Sequence, residues 1–300
     1  MKAEQNFENF TKIVEQKVKD RLEGCEIGIE MVPKNNGVLK TALIIRNPDA
    51  NAEPCIYLEE YYNHYRKEIA SIDGIVDHII KIYDENKLGE RMDVDVLLQY
   101  PTMRPKIRGR LISTQRNTDM LQNVPHRGIL DLSLIYTIEV NTRRGIGNII
   151  INHSHLEIWG VTEPELFLQL KKNLEQEEGC FMHLDRFLTQ ILDVPEEETL
   201  RDSLPDIFIM SNKDKHYGAV ELLNEKIVEK AVQTFGGSFY VLPSSVHELI
   251  LLPGDYEDMT LDGLAEMVAS INASDVNESD VLSSHIYYYN AEEKRLEMHR

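Results

Sequence analysis

Cysteine is scarce in this chain: three among 300 residues, Cys25, Cys55 and Cys180, widely spaced and with no Cys-x-x-Cys pair. That spacing speaks against a disulfide framework and against a thiolate zinc site. Long apolar runs are also missing. Nothing approaches the roughly 18 consecutive apolar residues that a membrane-crossing helix needs, and the opening MKAEQNFENFTKIVEQ has no apolar stretch behind its lysine. The chain therefore reads as cytoplasmic, neither secreted nor membrane-spanning. Basic residues are in deficit, with 32 Lys and Arg against 51 Asp and Glu and a net charge of -19. Such a charge repels phosphate backbones and anionic lipid alike, so the expected partner is a protein or a small ligand, not nucleic acid or a membrane.

Complete catalytic and cofactor signatures are absent as well. There is no Gly-x-x-x-x-Gly-Lys loop and no Gly-x-Ser-x-Gly elbow, and the Gly-x-Gly of RRGIGN precedes a strand where a dinucleotide fingerprint opens a helix. No cofactor is expected, and no residue is assigned a catalytic role.

What is present is enough apolar material, 42% of residues, to build a sizeable core. Phe7, Phe10, Ile13, Val14, Val18 and Leu22 recur at three- and four-residue steps and predict an amphipathic helix that Gly24 ends. Two extended runs around Asn35-Asn36-Gly37 predict a hairpin, PCIYL a short strand and SIDGIVDHIIKIYDENK a helix. The expected class is α+β: an N-terminal α-β-β-β-α unit over residues 1–120, packed with a larger α+β part over 121–300 and with a further break at 193–205. The boundary falls in the turn-rich NTDMLQNVPHRG. From residue 206 the runs DIFIM, GAVELLNEKIVEKAVQTFG, SFYVL, VHELILL, TLDGLAEMVASI and HIYYY follow the order β-α-β-β-α-β, a split βαβ-like arrangement.

Several stretches carry residues capable of chemistry. In INHSHLEIWG, a continuing strand would put His153 and His155 on one face as a metal pair, with His126, His183 and Asp185 as candidate distant ligands. Ser154-His-Leu-Glu157 is equally a capping box that opens a helix, and Thr162-Glu-Pro-Glu165 is another. The capped helix is the favoured reading. MSNKDKHYGAVELL places Ser211, Asn212 and Lys213 between a strand and a helix, where free amides bind anions. YVLPSSVHELILLP offers Ser244, Ser245, His247 and Glu248, residue types for acid-base or nucleophilic work that also make a turn. The only basic cluster is Arg104, Lys106, Arg108, Arg110 and Arg116, the first four expected on one strand face; these would pair with the chain's own carboxylates or receive an acidic partner, with Arg108 and Arg110 as the candidate contacts. Residues 254–280 hold eight carboxylates and no Lys or Arg, with Asp258, Asp262 and Glu266 four apart.

Three blocks together carry a resemblance: DMLQNVPHRGILDLSLIY with IIINHSHLEIWGVT, then MSNKDKHYGAVELL, then YVLPSSVHELILLP. They resemble an uncharacterised bacterial family, domain-of-unknown-function family 5688, across most of the chain, including PKNNGV and PCIYLEEYY. The order of elements is more remotely similar to a second uncharacterised bacterial family, number 1444. Neither resemblance implies an activity or transfers a functional residue. The leading expectation is a non-catalytic protein that binds a protein partner or small ligand. Its alternatives are a hydrolase-type, metal-assisted enzyme using His153 and His155, and an acidic mimic of nucleic acid.

Overall fold

The structure, a computed structural model, describes residues 2–48, 55–86, 94–142, 145–192, 206–243, 245–256, 260–274 and 276–299. The chain is α+β, and its contacts divide it into two units, Met1–Val96 with Asn141–Ile146, and Leu97–Val140 with Gly147–Arg300.

The first unit contains helix α1 (Lys2–Lys19), strands β1 (Glu26–Pro33), β2 (Leu39–Arg46) and β3 (Cys55–Tyr57), and helices α2 (Leu58–Arg66) and α3 (Ile72–Asn86). β1 and β2 pair antiparallel around a turn in which Asn36 takes φ 61°, a conformation that Asn tolerates. The apolar stripe of α1 does what its spacing predicts: Phe10, Val14 and Val18 are buried in one cluster with Leu43 and Ile45 of β2 and Ile75 and Ile79 of α3. Each such side chain contributes on the order of 1.5–3 kcal/mol by leaving water. Helix α2 is an addition to the expected order. Its Glu59 and Glu60 lie in the first turn and His64 and Arg66 in the last, as the helix dipole favours, while Leu58 and Tyr62 are buried.

The short α4 (Val94–Leu97) leads to the second unit. There α5 (Tyr100–Met103), β4 (Ile107–Ser113), α6 (Thr118–Leu121), β5 (His126–Ile129), β6 (Leu132–Thr142) and β7 (Gly145–Ile150) come first. Next are α7 (His153–Trp159), α8 (Glu163–Leu174), β8 (Gly179–His183), α9 (Leu184–Leu192) and β9 (Phe208–Asn212), then α10 (Glu225–Phe235), β10 (Phe239–Leu242), β11 (Leu249–Pro253), α11 (Leu261–Ser274), β12 (Ile286–Asn290) and β13 (Arg295–His299). β4, β6 and β5 run in that order with β7 also on β6, and a six-stranded sheet has the order β13-β12-β10-β11-β9-β8. β9 and β10 each pair antiparallel with β11, so they point the same way with β11 between them.

Three local readings are corrected here. The basic run does not lie on one strand: Arg104–Lys106 is a 3-10 turn containing Pro105, and Arg116 lies in another 3-10 turn, Gln115–Asn117, which leaves Arg108 and Arg110 on the partly exposed face of β4. The helix expected from Gly218 is broken, because Gly218–Leu223 forms a 3-10 turn and Asn224 caps a new helix, its side chain accepting from the Lys226 amide at 3.2 Å. Helix α7 begins two residues before the expected capping box. Asn152 is its N-cap, accepting from the His155 amide at 3.1 Å while His155 Nδ1 accepts from the Asn152 amide at 3.0 Å. Asn outcompetes Ser154 because the chain is still extended at Asn152, φ -109° and ψ 176°. The Thr162–Glu165 box that opens α8 forms as expected.

Helix α8 is fixed over β4 by its buried Asn173, which donates to the carbonyls of Arg104 and Ile107 at 2.8 and 2.9 Å. Its first turn is held by Glu163, which takes a two-pronged bond from Arg127 at 3.0 and 2.9 Å and a further bond from the buried Tyr136 hydroxyl. Gly109 is where the backbone of β4 meets this packing. A Cβ there would lie 2.7 Å from Leu170 Cδ2 and 2.9 Å from both Leu134 Cδ1 and Val220 Cγ2. Gly109→Ala is therefore expected to destabilise the protein by about 1–3 kcal/mol through overpacking. A urea midpoint unchanged from that of the wild type would contradict this packing.

Candidate functional site

Several sequence candidates converge in the second unit around the loop that joins β9 to the 3-10 turn Gly218–Leu223. β9 ends on Ser211 and Asn212. The fully buried Ser211 donates its hydroxyl to the His247 carbonyl at 2.7 Å. Asn212 closes the loop on itself, donating to the His216 carbonyl at 2.8 Å and accepting from the His216 amide at 3.0 Å. The loop returns through two left-handed residues, Lys215 at φ 52° and Tyr217 at φ 56°. Non-glycine residues hold such angles only where the surroundings enforce them, at a cost of order 1–3 kcal/mol each.

The enforcing contact is at Gly218. A Cβ on Gly218 would fall 2.1 Å from Ser211 Oγ, 2.5 Å from the Asn212 nitrogen and 2.6 Å from the His247 oxygen, so only glycine lets the three backbone segments meet. The meeting is secured by hydrogen bonds: the Tyr217 amide donates to His247 Nδ1 at 3.1 Å, and the Ala219 amide donates to the Val246 carbonyl at 3.2 Å. On the other strand of this contact, Ser245 Oγ donates to Glu248 at 2.6 Å and accepts from the His247 amide at 3.0 Å.

The outcome is a stack of planar groups. The rings of His216 and His247 lie 5.1 Å apart with a 26° tilt, Tyr217 is 5.4 Å from His247, and the Arg110 guanidinium carbon lies 3.7 Å from the centre of the Tyr217 ring. His247 accepts at Nδ1, which puts a ring proton on Nε2, 3.7 Å from Asp280 Oδ1.

Arg110 differs from its neighbour on the same strand face. Arg108 sits between two carboxylates, 2.6 Å from Glu139 and 2.8 Å from Glu177. Arg110 forms no ion pair among the described residues; its neighbour is Tyr217, and burial, opposed by the charge and hydrogen bonding of Tyr217, holds its guanidinium below the usual arginine value. Beside it, His216 is held below the ordinary imidazole value, first by burial and then by His247 and Arg110, with Asp280 and Asp214 acting the other way. A partly desolvated cation with an aromatic backing and a protonatable ring at its side is an arrangement that receives anions.

Of the sequence candidates, Arg110, Asn212, Ser245 and His247 are thus brought together, and Lys213 follows Asn212 as an exposed side chain. Ser244 lies outside the described residues. Arg108 is taken up by its two glutamates. His153 and His155 do not share a strand face, since both belong to the first turn of α7, where His153 is exposed and His155 serves as the cap partner. His126 Nδ1 is 3.0 Å from the Val124 carbonyl and His183 Nδ1 is 2.7 Å from Asp185. Among the described residues no group of three or more His, Cys, Asp or Glu side chains is placed to hold a metal ion. Sequence reasoning missed His216, Tyr217 and Asp280. The visible signal for the first two was a His-Tyr-Gly step directly ahead of an apolar run.

Just beyond the site stands a buried acid. Glu221 is 0% exposed; Asn224 donates to its Oε2 at 2.8 Å, while among the described residues Oε1 has no hydrogen-bond partner. Burial, aided by the charge of Glu177 and opposed by the Asn224 bond, pushes its carboxyl up to about 7.

The comparisons add a family and no activity. The chain matches the Family of unknown function (DUF5688) over residues 7–291, and so belongs to it. No curated protein and no solved structure matches.

Because the folded carboxyl of Glu221 titrates at about 7 against an ordinary 4.5, its proton is held by the fold and released first by the unfolded chain. Its contribution is present in full below the ordinary carboxyl value and is lost as the pH rises towards the folded one, by at most about 3 kcal/mol. Urea unfolding of the wild type and Glu221→Gln should diverge across that window, the variant keeping stability that the wild type loses. Parallel pH profiles would contradict the assignment.

Proposed function

We propose that this DUF5688 protein is a non-catalytic binding protein, and that its ligand presents a carboxylate or phosphate group to Arg110, with His216 beside it and the Tyr217 and His247 rings as backing. The observation that carries this reading is the guanidinium of Arg110, half-buried over the Tyr217 ring without an ion pair among the described residues. Such a cation gains more from an incoming anion than a solvated one does, because it has already lost part of its water. Its planar fork lies over the Tyr217 ring, and the donors that Tyr217 does not take suit a flat anionic group.

The hydroxyls and the imidazole nearby support binding over catalysis. Ser211 spends its proton on the His247 carbonyl and Ser245 on Glu248, while His247 Nδ1 is occupied by the Tyr217 amide. Both serines are buried, Ser211 at 0% and Ser245 at 3% exposure, and the geometry directs each of these groups to holding the loops. We place the protein in the cytoplasm, a reading supported by three cysteines that are all free thiols and by the absence, among the described residues, of any helix long and apolar enough to cross a membrane.

Calorimetric titration of the full chain with inorganic phosphate and with citrate, at low salt and mildly acidic pH, tests the proposal. Binding is expected to one or both, weakened about 10- to 100-fold by Arg110→Met, which keeps the packing on Tyr217 and removes a charge-assisted bond. Affinity should also fall as the pH rises and His216 loses its proton. Equal affinity in the wild type and Arg110→Met, or no binding of either anion, would overturn it.

A further inference from the structure

The 3-10 turn Gly218–Leu223 has a functional contact at its start and a buried acid within it. At its start Gly218 is seated against Ser211, Asn212 and His247, and Tyr217 immediately before it backs Arg110. Three residues on from Gly218, Glu221 is wholly buried. Among the described residues its carboxyl takes one hydrogen bond, from Asn224, whose side chain also donates to the Leu174 carbonyl at 2.9 Å. There is no slack around it: a Cβ on Gly179 would lie 2.7 Å from Glu221 Oε2 and 2.6 Å from Ile227. Oε1 faces no donor. A neutral carboxyl tolerates this setting, whereas a carboxylate, which asks for several donors, is left short.

The groups facing Glu221 make ionisation still less comfortable. Glu177, ahead of β8, adds a like charge, and Cys180 on β8 is a thiol that burial pushes up and that feels Glu221 as a further negative neighbour. Lys215 and Lys230 act on the Cys180 thiol. Arg108 belongs to Glu177 and Glu139.

We propose that Glu221 is a proton switch for the anion site: protonated, it stays seated and holds the turn against the His247 loop; ionised, it draws the turn outwards and lowers the affinity for anions. The proton is released to solvent, and the change in the turn is carried to Arg110 through Gly218 and Tyr217. This rests on the anion-binding reading for its consequence, while the movement of the turn stands by itself.

Amide hydrogen exchange of the ligand-free full chain separates the two. In mildly alkaline solution, peptides covering residues 218–224 should exchange faster in the wild type than in Glu221→Gln measured at the same pH, and in mildly acidic solution the two should match. Glu177→Gln removes the neighbouring charge and should move the loss of protection to lower pH, a displacement that a purely structural role for Glu221 would not give. Equal exchange in the wild type and Glu221→Gln at both pH values overturns the switch, whatever phosphate does. In a phosphate titration, the wild type should lose more affinity between acidic and alkaline pH than Glu221→Gln, whose remaining loss belongs to His216. Identical losses overturn the coupling, and failure of phosphate to bind the wild type at all is the separate failure of the anion reading.

Discussion

The approach of three backbone segments at Gly218 is the constraint on which the candidate site depends. Any side chain there would overlap Ser211, Asn212 and His247, so the glycine is what allows β9, the His247 loop and the 3-10 turn to share one point. From that point the rest follows in order. The Tyr217 amide reaches His247 Nδ1, the Tyr217 backbone is forced into the left-handed region, and its ring is thereby laid under Arg110. The strain at Lys215 and Tyr217 is offset by the hydrogen bonds of Asn212 within the loop and of Ser211 to the His247 carbonyl. An interior that positions one arginine by so many fixed contacts is preorganised, and preorganisation lowers the entropy cost of capturing a ligand.

Arg108 and Arg110 show how two like residues, two apart on one strand face, take different roles through their neighbours. Arg108 has Glu139 and Glu177 at hydrogen-bonding distance and so behaves as a structural cation. Arg110 lies over the Tyr217 ring and acts on His216, and Asp280, which also acts on His216, lies 3.7 Å from His247 Nε2. In a chain of net charge -19, an arginine set apart from the carboxylates in this way depends on the fold to exclude them.

Much of this was legible in the sequence, and the remainder was hidden for identifiable reasons. The α1 stripe, the hairpin at Asn36, the Thr162–Glu165 box and the α+β class are local patterns with periods or caps that residues declare directly. Arg110, Asn212, Ser245 and His247 were visible as residue types, yet nothing local says that residues 110, 212 and 247 meet. That depends on the non-local pairing of β9 with β11 and on the placing of β4 beneath α8. His155 was misjudged because its imidazole, a metal ligand by type, takes the place that Glu or Gln usually holds in a capping box. Glu221 was overlooked because within GAVELL it looks like the solvent-facing position of a helix, and only the 3-10 geometry and the Asn224 break turn it inwards.

The central claim, that Arg110 and His216 jointly receive an anion, is tested most directly by following the His216 ring by NMR through a pH titration with and without inorganic phosphate. An anion seated beside both groups must favour the protonated ring, so phosphate is predicted to raise the pH at which His216 titrates in the wild type and to leave it unmoved in Arg110→Met. A His216 titration indifferent to phosphate in the wild type would contradict the account.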